Sequence, residues 1–245
     1  MISIKLAIFD LDDTLVATRD SVLSARDAVL REFLELKASL ELNGAQDAWQ
    51  RLTWYYSADN RVAIFSALCR SLGRPEPSIA HCDSMAARYE EVMTEHLRMN
   101  SGAEFLLDGL RTKGIKAGIV TTGNGIRQKQ KFDRLELSRW IPWERVTVDE
   151  PGSLSAKPQP TSLLKLCRQL NVEPSEAVVI GDRPTDVIAG NLAGCHTVLY
   201  YGCGLEVRLP GPSGMLNLEI PEQSIRELVR LTEILRGPRE VNSGG

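Results

Sequence analysis

The sequence predicts an α/β protein, a doubly wound parallel sheet interrupted by an inserted helical domain. Three observations predict it. Largely apolar runs at residues 4–9, 115–120 and 177–180, broken by no more than a single lysine, each end in a polar turn, the pattern of strands buried on both faces of a parallel sheet. Between the first and second runs, residues 16 to about 99 show helical spacing without strand alternation. From residue 101 onward helix and strand alternate, which is the order of right-handed crossovers in such a sheet.

Element by element, the first strand runs straight into Asp10-Leu11-Asp12-Asp13-Thr14-Leu15. In the inserted stretch, Val22, Val29, Phe33, Leu36 and Leu40 form one stripe. Val62, Ile64, Phe65, Leu68 and Leu72 form another, closed by Gly73 and Pro75. Cys82, Met85, Ala86, Tyr89, Val92, Met93, His96 and Leu97 form a third. Steps of three and four put each set on one helix face. Ser101 and Glu104 have capping-box spacing ahead of Phe105, Leu106, Leu107 and Leu110, with Gly114 as the stop. A helix over about 125–137, a strand at 146–148, a helix over about 161–170, a helix after Asp186 and a strand at 197–200 follow. Ile225, Leu228, Val229, Thr232 and Leu235 read as a last amphipathic helix. The expected division is a core of 1–15 with 100–236, a helical insert of 16–99 and a frayed tail of 237–245.

Composition narrows the function classes. The chain has 245 residues, 43% hydrophobic and 25% charged, with a formal net charge of −3, so charge gives no reason to expect nucleic acid or an anionic membrane as partner. No apolar stretch reaches the roughly 18 residues of a membrane span, and a cytoplasmic protein, monomer or homodimer, is expected. Cys69, Cys82, Cys167, Cys195 and Cys203 lack paired metal-ligand spacing and read as reduced structural thiols. His81, His96 and His196 likewise read as structural.

The chemistry concentrates at strand ends. A buried first strand carries Asp10 and Asp12 together to the carboxyl edge, where open α/β sheets bind ligands; carboxylates that close must share a proton or a cation. Aspartate and threonine also favour surface turns, so this segment alone fits both readings. Three later segments shift the balance: Thr121-Thr122-Gly123-Asn124 after the second strand, then Lys157-Pro158, then Gly181-Asp182-Arg183-Pro184-Thr185-Asp186.

With these four segments in order, the chain resembles the haloacid dehalogenase-like hydrolase superfamily over roughly residues 4–200. The resemblance is to its phosphatase branch with a helical cap, phosphoglycolate phosphatase-like. It implies a Rossmann-like core and a Mg²⁺-dependent phosphoric monoester hydrolase acting on a small phosphorylated metabolite through an aspartyl phosphate. It also implies roles. Asp10 is the nucleophile, ionised at neutral pH without special activation. Asp12 is the acid and base, its backbone carbonyl reaching the metal. Lys157 neutralises charge on the nucleophile and the phosphoryl oxygens. Asp10, Asp12, Asp182 and Asp186 are the expected metal set, with Asp186 fitting either a metal role or orientation of Lys157. Thr121 offers its hydroxyl, and Thr122, Gly123 and Asn124 are candidate phosphate contacts; where many related chains carry asparagine, this one has Thr122.

The insert directly after the catalytic loop suggests a lid. Arg19, Trp49, Arg51, Trp54, Tyr55, Tyr56 and Arg61 are its candidates for recognising the leaving group. A dehalogenase is disfavoured because Asp12 is present. A phosphomutase shares Asp10 and Asp12, and a catalytically silent binding or scaffold protein is the alternative from another class.

Overall fold

The computed structural model describes residues 4–53, 55, 60–202, 223–225, 228 and 231. They form two compact units, one of the residues up to Ala17 together with those from Arg98 onward, the other Thr18–Leu97.

The first unit is built on β1 (Leu6–Phe9), whose four residues are all buried. It pairs in parallel on one side with β2 (Lys116–Thr122) and on the other with β4 (Ala177–Gly181). Adding β3 (Val146–Asp149), β5 (His196–Tyr200) and β6 (Gln223–Ile225) gives a six-stranded parallel sheet of order β3-β2-β1-β4-β5-β6. The chain fills one side of β1 and then returns to fill the other, so the strand order reverses beside β1. That is where a doubly wound sheet opens a crevice at its carboxyl edge. Phe9 is level with both Ile119 and Ile180, and Asp10 N–H donates to the Ile180 carbonyl at 2.9 Å. The residues just past these strands therefore meet at one edge.

Leu6, Ile8, Val120, Ala177 and Val179 bury against Leu163 and Leu166 of α7 (Thr161–Gln169) and Ala189 and Ala193 of α8 (Pro184–Ala193). The second unit contains α1 (Thr18–Leu34), α2 (Ser39–Leu52), α3 (Arg61–Ser71) and α4 (Ile79–Glu95). Its core centres on fully buried Trp49, edge-on to Phe65 at 5.4 Å and beside Tyr89 at 5.8 Å. Trp49 is thus core. Arg61 pairs with Glu90 at 2.8 Å and lies over the Tyr89 ring. Tyr55, Arg51 and Arg19 are exposed, and Trp54 and Tyr56 lie outside the described residues.

Several expected boundaries move, each for a local reason. The first stripe of the insert is two helices, because Glu35 takes φ +50° and breaks the run after Leu34; Leu40, on the next helix, is 85% exposed. The capping box at Ser101 does not form. Helix α5 (Ala103–Thr112) starts instead from Gly102 in the left-handed region, which leaves Phe105 outward. Helix α6 (Gly125–Arg134) ends three residues early. Helix α8 begins before Asp186, with Pro184 at its first position, where a fixed φ and a missing N–H cost nothing. Ile225 belongs to strand β6 and not to a final helix. Leu228 and Leu231 are buried, while Val229, Thr232, Leu235 and the tail lie outside the described residues. Cys69, Cys82, Cys167 and Cys195 are free and buried; Cys203 also lies outside. No helix among the described residues is long and apolar enough to cross a membrane.

Candidate active site

The ends of β1, β2 and β4 and the start of α8 enclose a cavity of about 150 Å³ lined by Asp10, Asp12, Thr121, Thr122, Lys157, Arg183, Thr185 and Asp186. Lys157 organises it. Its ammonium donates to Asp10 Oδ1 at 2.5 Å and to the Val120 carbonyl at 2.9 Å, and ion-pairs with Asp186 Oδ1 at 2.5 Å. Burial works against the charge on Lys157, but Asp10 and then Asp186 more than offset it, and the ammonium is held above its ordinary pKa.

A long loop must place this lysine, and Asp149 at the end of β3 steadies the loop. Asp149 Oδ1 accepts from Ser155 at 2.7 Å and from Ser162 at 2.9 Å, on either side of Lys157. Its carbonyl accepts the Gly123 amide at 2.9 Å. That amide is therefore engaged within the protein, contrary to its expected role as a phosphate donor. Asn124 is occupied elsewhere too, since its side chain caps α6 by accepting from Arg127 N–H at 3.1 Å. Neither residue lines the cavity, whereas Thr121 and Thr122 do.

Asp186 sits in the first turn of α8. One oxygen faces Lys157 and the other accepts the Arg183 amide at 2.9 Å. Of the two roles the sequence left open, the contact with Lys157 is the one this geometry displays. Gly181 makes it possible, because a Cβ there would overlap the Asp186 carboxyl group. Gly181→Ala is expected to cost about 1–3 kcal/mol through this overlap and to lower turnover by pushing Asp186 off Lys157. Thermal unfolding and steady-state kinetics of the variant measure both effects.

Asp182 is 1% exposed; Thr14 Oγ1 donates to its Oδ1 at 3.4 Å, and its Oδ2 is buried without a partner. Burial, then Asp10 and Asp186, push its pKa up to about 8. Burial likewise lifts Asp10 to about 6 against the opposing pull of Lys157. An orphaned, hard carboxyl oxygen that burial keeps from ionising, beside a second carboxylate, fits a divalent cation such as Mg²⁺. That ion keeps several waters and needs only one or two protein carboxylates. Among the described residues no three His, Cys, Asp or Glu side chains are already gathered as a cage, so the fit rests on Asp10, Asp182 and backbone oxygen.

These shifts set a sign for stability. Both carboxyls have folded pKa values above the ordinary range near 4, so the folded chain binds more protons between pH 4 and 8. Their stabilising contribution is complete below pH 4 and is lost as pH rises through 6 and 8. Without added metal, Asp182→Asn is therefore expected to gain melting temperature relative to the parent between pH 5 and pH 8.5. The gain scales at roughly 2–4 °C per kcal/mol. Mg²⁺ should raise the parent's melting temperature more at pH 8.5 than at pH 5, and have little effect on the variant. Calorimetry across this pH range tests it; a difference that does not vary with pH would refute the assignment.

Sequence reading missed Gln128, Lys131, Asp149 and Arg183. Gln128 and Lys131 hold Asp12, and Arg183 lines the cavity. A signal existed for the first two. Helix α6 has few apolar residues, so part of its inward face had to be polar.

Residues 7–200 match the family described as haloacid dehalogenase-like hydrolase. The chain is 31% identical to glyceraldehyde 3-phosphate phosphatase of Pyrococcus furiosus, covering 99% of each chain. It is 24% identical to phosphoglycolate phosphatase 1 of Pseudomonas aeruginosa over 81% of this chain and 70% of that protein. Among solved structures, a hydrolase of Deinococcus radiodurans with bound phosphate and sodium superposes with a TM-score of 0.67 at 22% identity, covering 94% of each chain. YfnB of Bacillus subtilis, bound to magnesium, has a TM-score of 0.67 at 20% identity over 95% of this chain and 99% of that one.

Proposed function

The chain belongs to the haloacid dehalogenase-like hydrolase family, and on that premise we propose that it is a Mg²⁺-dependent phosphatase of small phosphorylated metabolites. Glyceraldehyde 3-phosphate is the first candidate, because the P. furiosus relative named for it aligns over nearly all of both chains. The observation that carries the reading is the buried Lys157–Asp10 pair lining the cavity at the sheet's carboxyl edge.

Asp10 attacks phosphorus and the ester P–O bond breaks. The departing alkoxide takes a proton from Asp12, leaving an aspartyl phosphate. Water then attacks the same phosphorus and gives its proton to Asp12, and the bond to Asp10 breaks to release phosphate. Lys157 keeps Asp10 anionic and aimed, and Thr121 presents a hydroxyl to the cavity. Asp10, Asp182 and the Asp12 carbonyl would hold the Mg²⁺, which when bound neutralises charge between carboxylate and phosphate dianion.

Purified protein with Mg²⁺ is expected to release phosphate from glyceraldehyde 3-phosphate or phosphoglycolate, and to stop when the metal is chelated. With a sugar bisphosphate, phosphate should appear in solution. Transfer of phosphate between sugar positions without release would overturn hydrolysis in favour of a mutase, and no turnover of any phosphate ester would overturn the enzyme reading.

A further inference from the structure

Helix α6 turns a polar face toward the catalytic edge. Of its residues only Gln128 and Phe132 are buried, Gln128 at 2% exposure. A glutamine in so dry a place needs partners. Its Nε2 donates to Asp12 Oδ2 at 2.8 Å and to Thr121 Oγ1 at 3.0 Å, which uses both amide hydrogens. Chemistry fixes this orientation, since the reversed amide would set an oxygen against a carboxylate. Lys131, three residues on and so on the same face, donates to Asp12 Oδ1 at 2.5 Å. Both carboxylate oxygens of Asp12 are thus gripped from one helix. Gly123 leaves the room required, because a Cβ there would stand 2.9 Å from Gln128 Nε2.

We propose that Gln128 and Lys131 are positioning residues for Asp12, and that Gln128 also orients the Thr121 hydroxyl; the proposal rests on the reading of Asp12 as acid and base. Asp12 follows the strand end on a turn where Asp13 takes φ +60°, and its side chain is 21% exposed. Without a grip its carboxylate has solvent to turn into. With one, it stands at a fixed place beside Asp10, its charge balanced by Lys131. Thr121, by accepting the Gln128 hydrogen, keeps its own hydrogen to donate into the cavity it lines.

The leaving group separates positioning from mere structure. A nitrophenolate departs without a proton, so phosphorylation of Asp10 by an aryl phosphate needs no acid, whereas the later attack of water still needs a base. With Mg²⁺ and nitrophenyl phosphate, Gln128→Ala and Lys131→Met are each expected to keep a burst of about one nitrophenolate per site. Steady-state kcat should fall roughly 10- to 100-fold, with KM falling alongside it so that kcat/KM for the aryl ester changes little. With an alkyl phosphate the burst should be absent. Lys131→Arg should recover much of the loss, and Lys131→Met added to Asp12→Asn should lower activity no further. If the losses multiply in that double variant, or the aryl burst disappears, or both single variants match the parent, the positioning role is overturned. Full activity in Asp12→Asn would instead remove the underlying reading of Asp12.

Discussion

Asp10→Asn is expected to lower phosphate release by on the order of 10⁴-fold or more, as removing a covalent nucleophile does elsewhere, while the chain still folds. The substitution is nearly isosteric, and at pH 8 it removes a buried anion whose pKa burial already lifts to about 6. The metal-free variant should therefore melt no lower at pH 8 than the parent does, apart from the part of the Lys157 pairing it surrenders. The aspartyl phosphate gives an independent check. Rapid acid quench after mixing with substrate should leave phosphate covalently attached to the parent and not to the variant. Activity within tenfold of the parent would place the nucleophile elsewhere.

Lys157→Met should combine a kinetic defect with a stability defect. Its ammonium is the shared cation of Asp10 and Asp186, with only 6% of the side chain exposed. Removing one partner of a buried ion pair costs about 3–5 kcal/mol, because the other is left charged and alone. The cost should be greatest near pH 8, where Asp10 would prefer to ionise, and smaller near pH 5, where it can take a proton instead. Turnover should fall roughly 10³-fold, in the range of losing one electrostatic contact to the transition state. Lys157→Arg is not expected to restore it, since a planar fork cannot occupy the place of a compact ammonium among three converging oxygens. Unfolding at the two pH values together with kcat for both variants tests this, and recovery by arginine would show that charge alone suffices.

The sequence carried the sheet and the approach of the catalytic strands because three largely apolar runs, followed in turn by Asp10, Thr121 and Asp182, together favour one reading. Lys157 was visible by its place between two strand-and-turn units. Other features depended on tertiary contacts that leave no local mark. Glu35 breaks a helix through a left-handed backbone that its own identity does not announce. Strand β6 is three residues long, too short for periodicity to find. Asp149 looked like any polar residue ending a strand, yet its carboxylate anchors Ser155 and Ser162. Gly123 seemed chosen for phosphate, whereas its missing side chain makes way for Gln128. The contacts of Asp186 with Lys157 and with the Arg183 amide likewise depend on the fold that brings them together.

The contacts of Lys157 carry a consequence for substrate entry. An ammonium owns three hydrogens, and here three acceptors, Asp10, Val120 and Asp186, already stand around them. The valence of the nitrogen is saturated before any ester arrives. An incoming phosphoryl oxygen can gain a hydrogen from it only by displacing one incumbent, and until then it feels the lysine as field alone. Docking at this edge is therefore an exchange of partners, and its cost depends on which of the three lets go first.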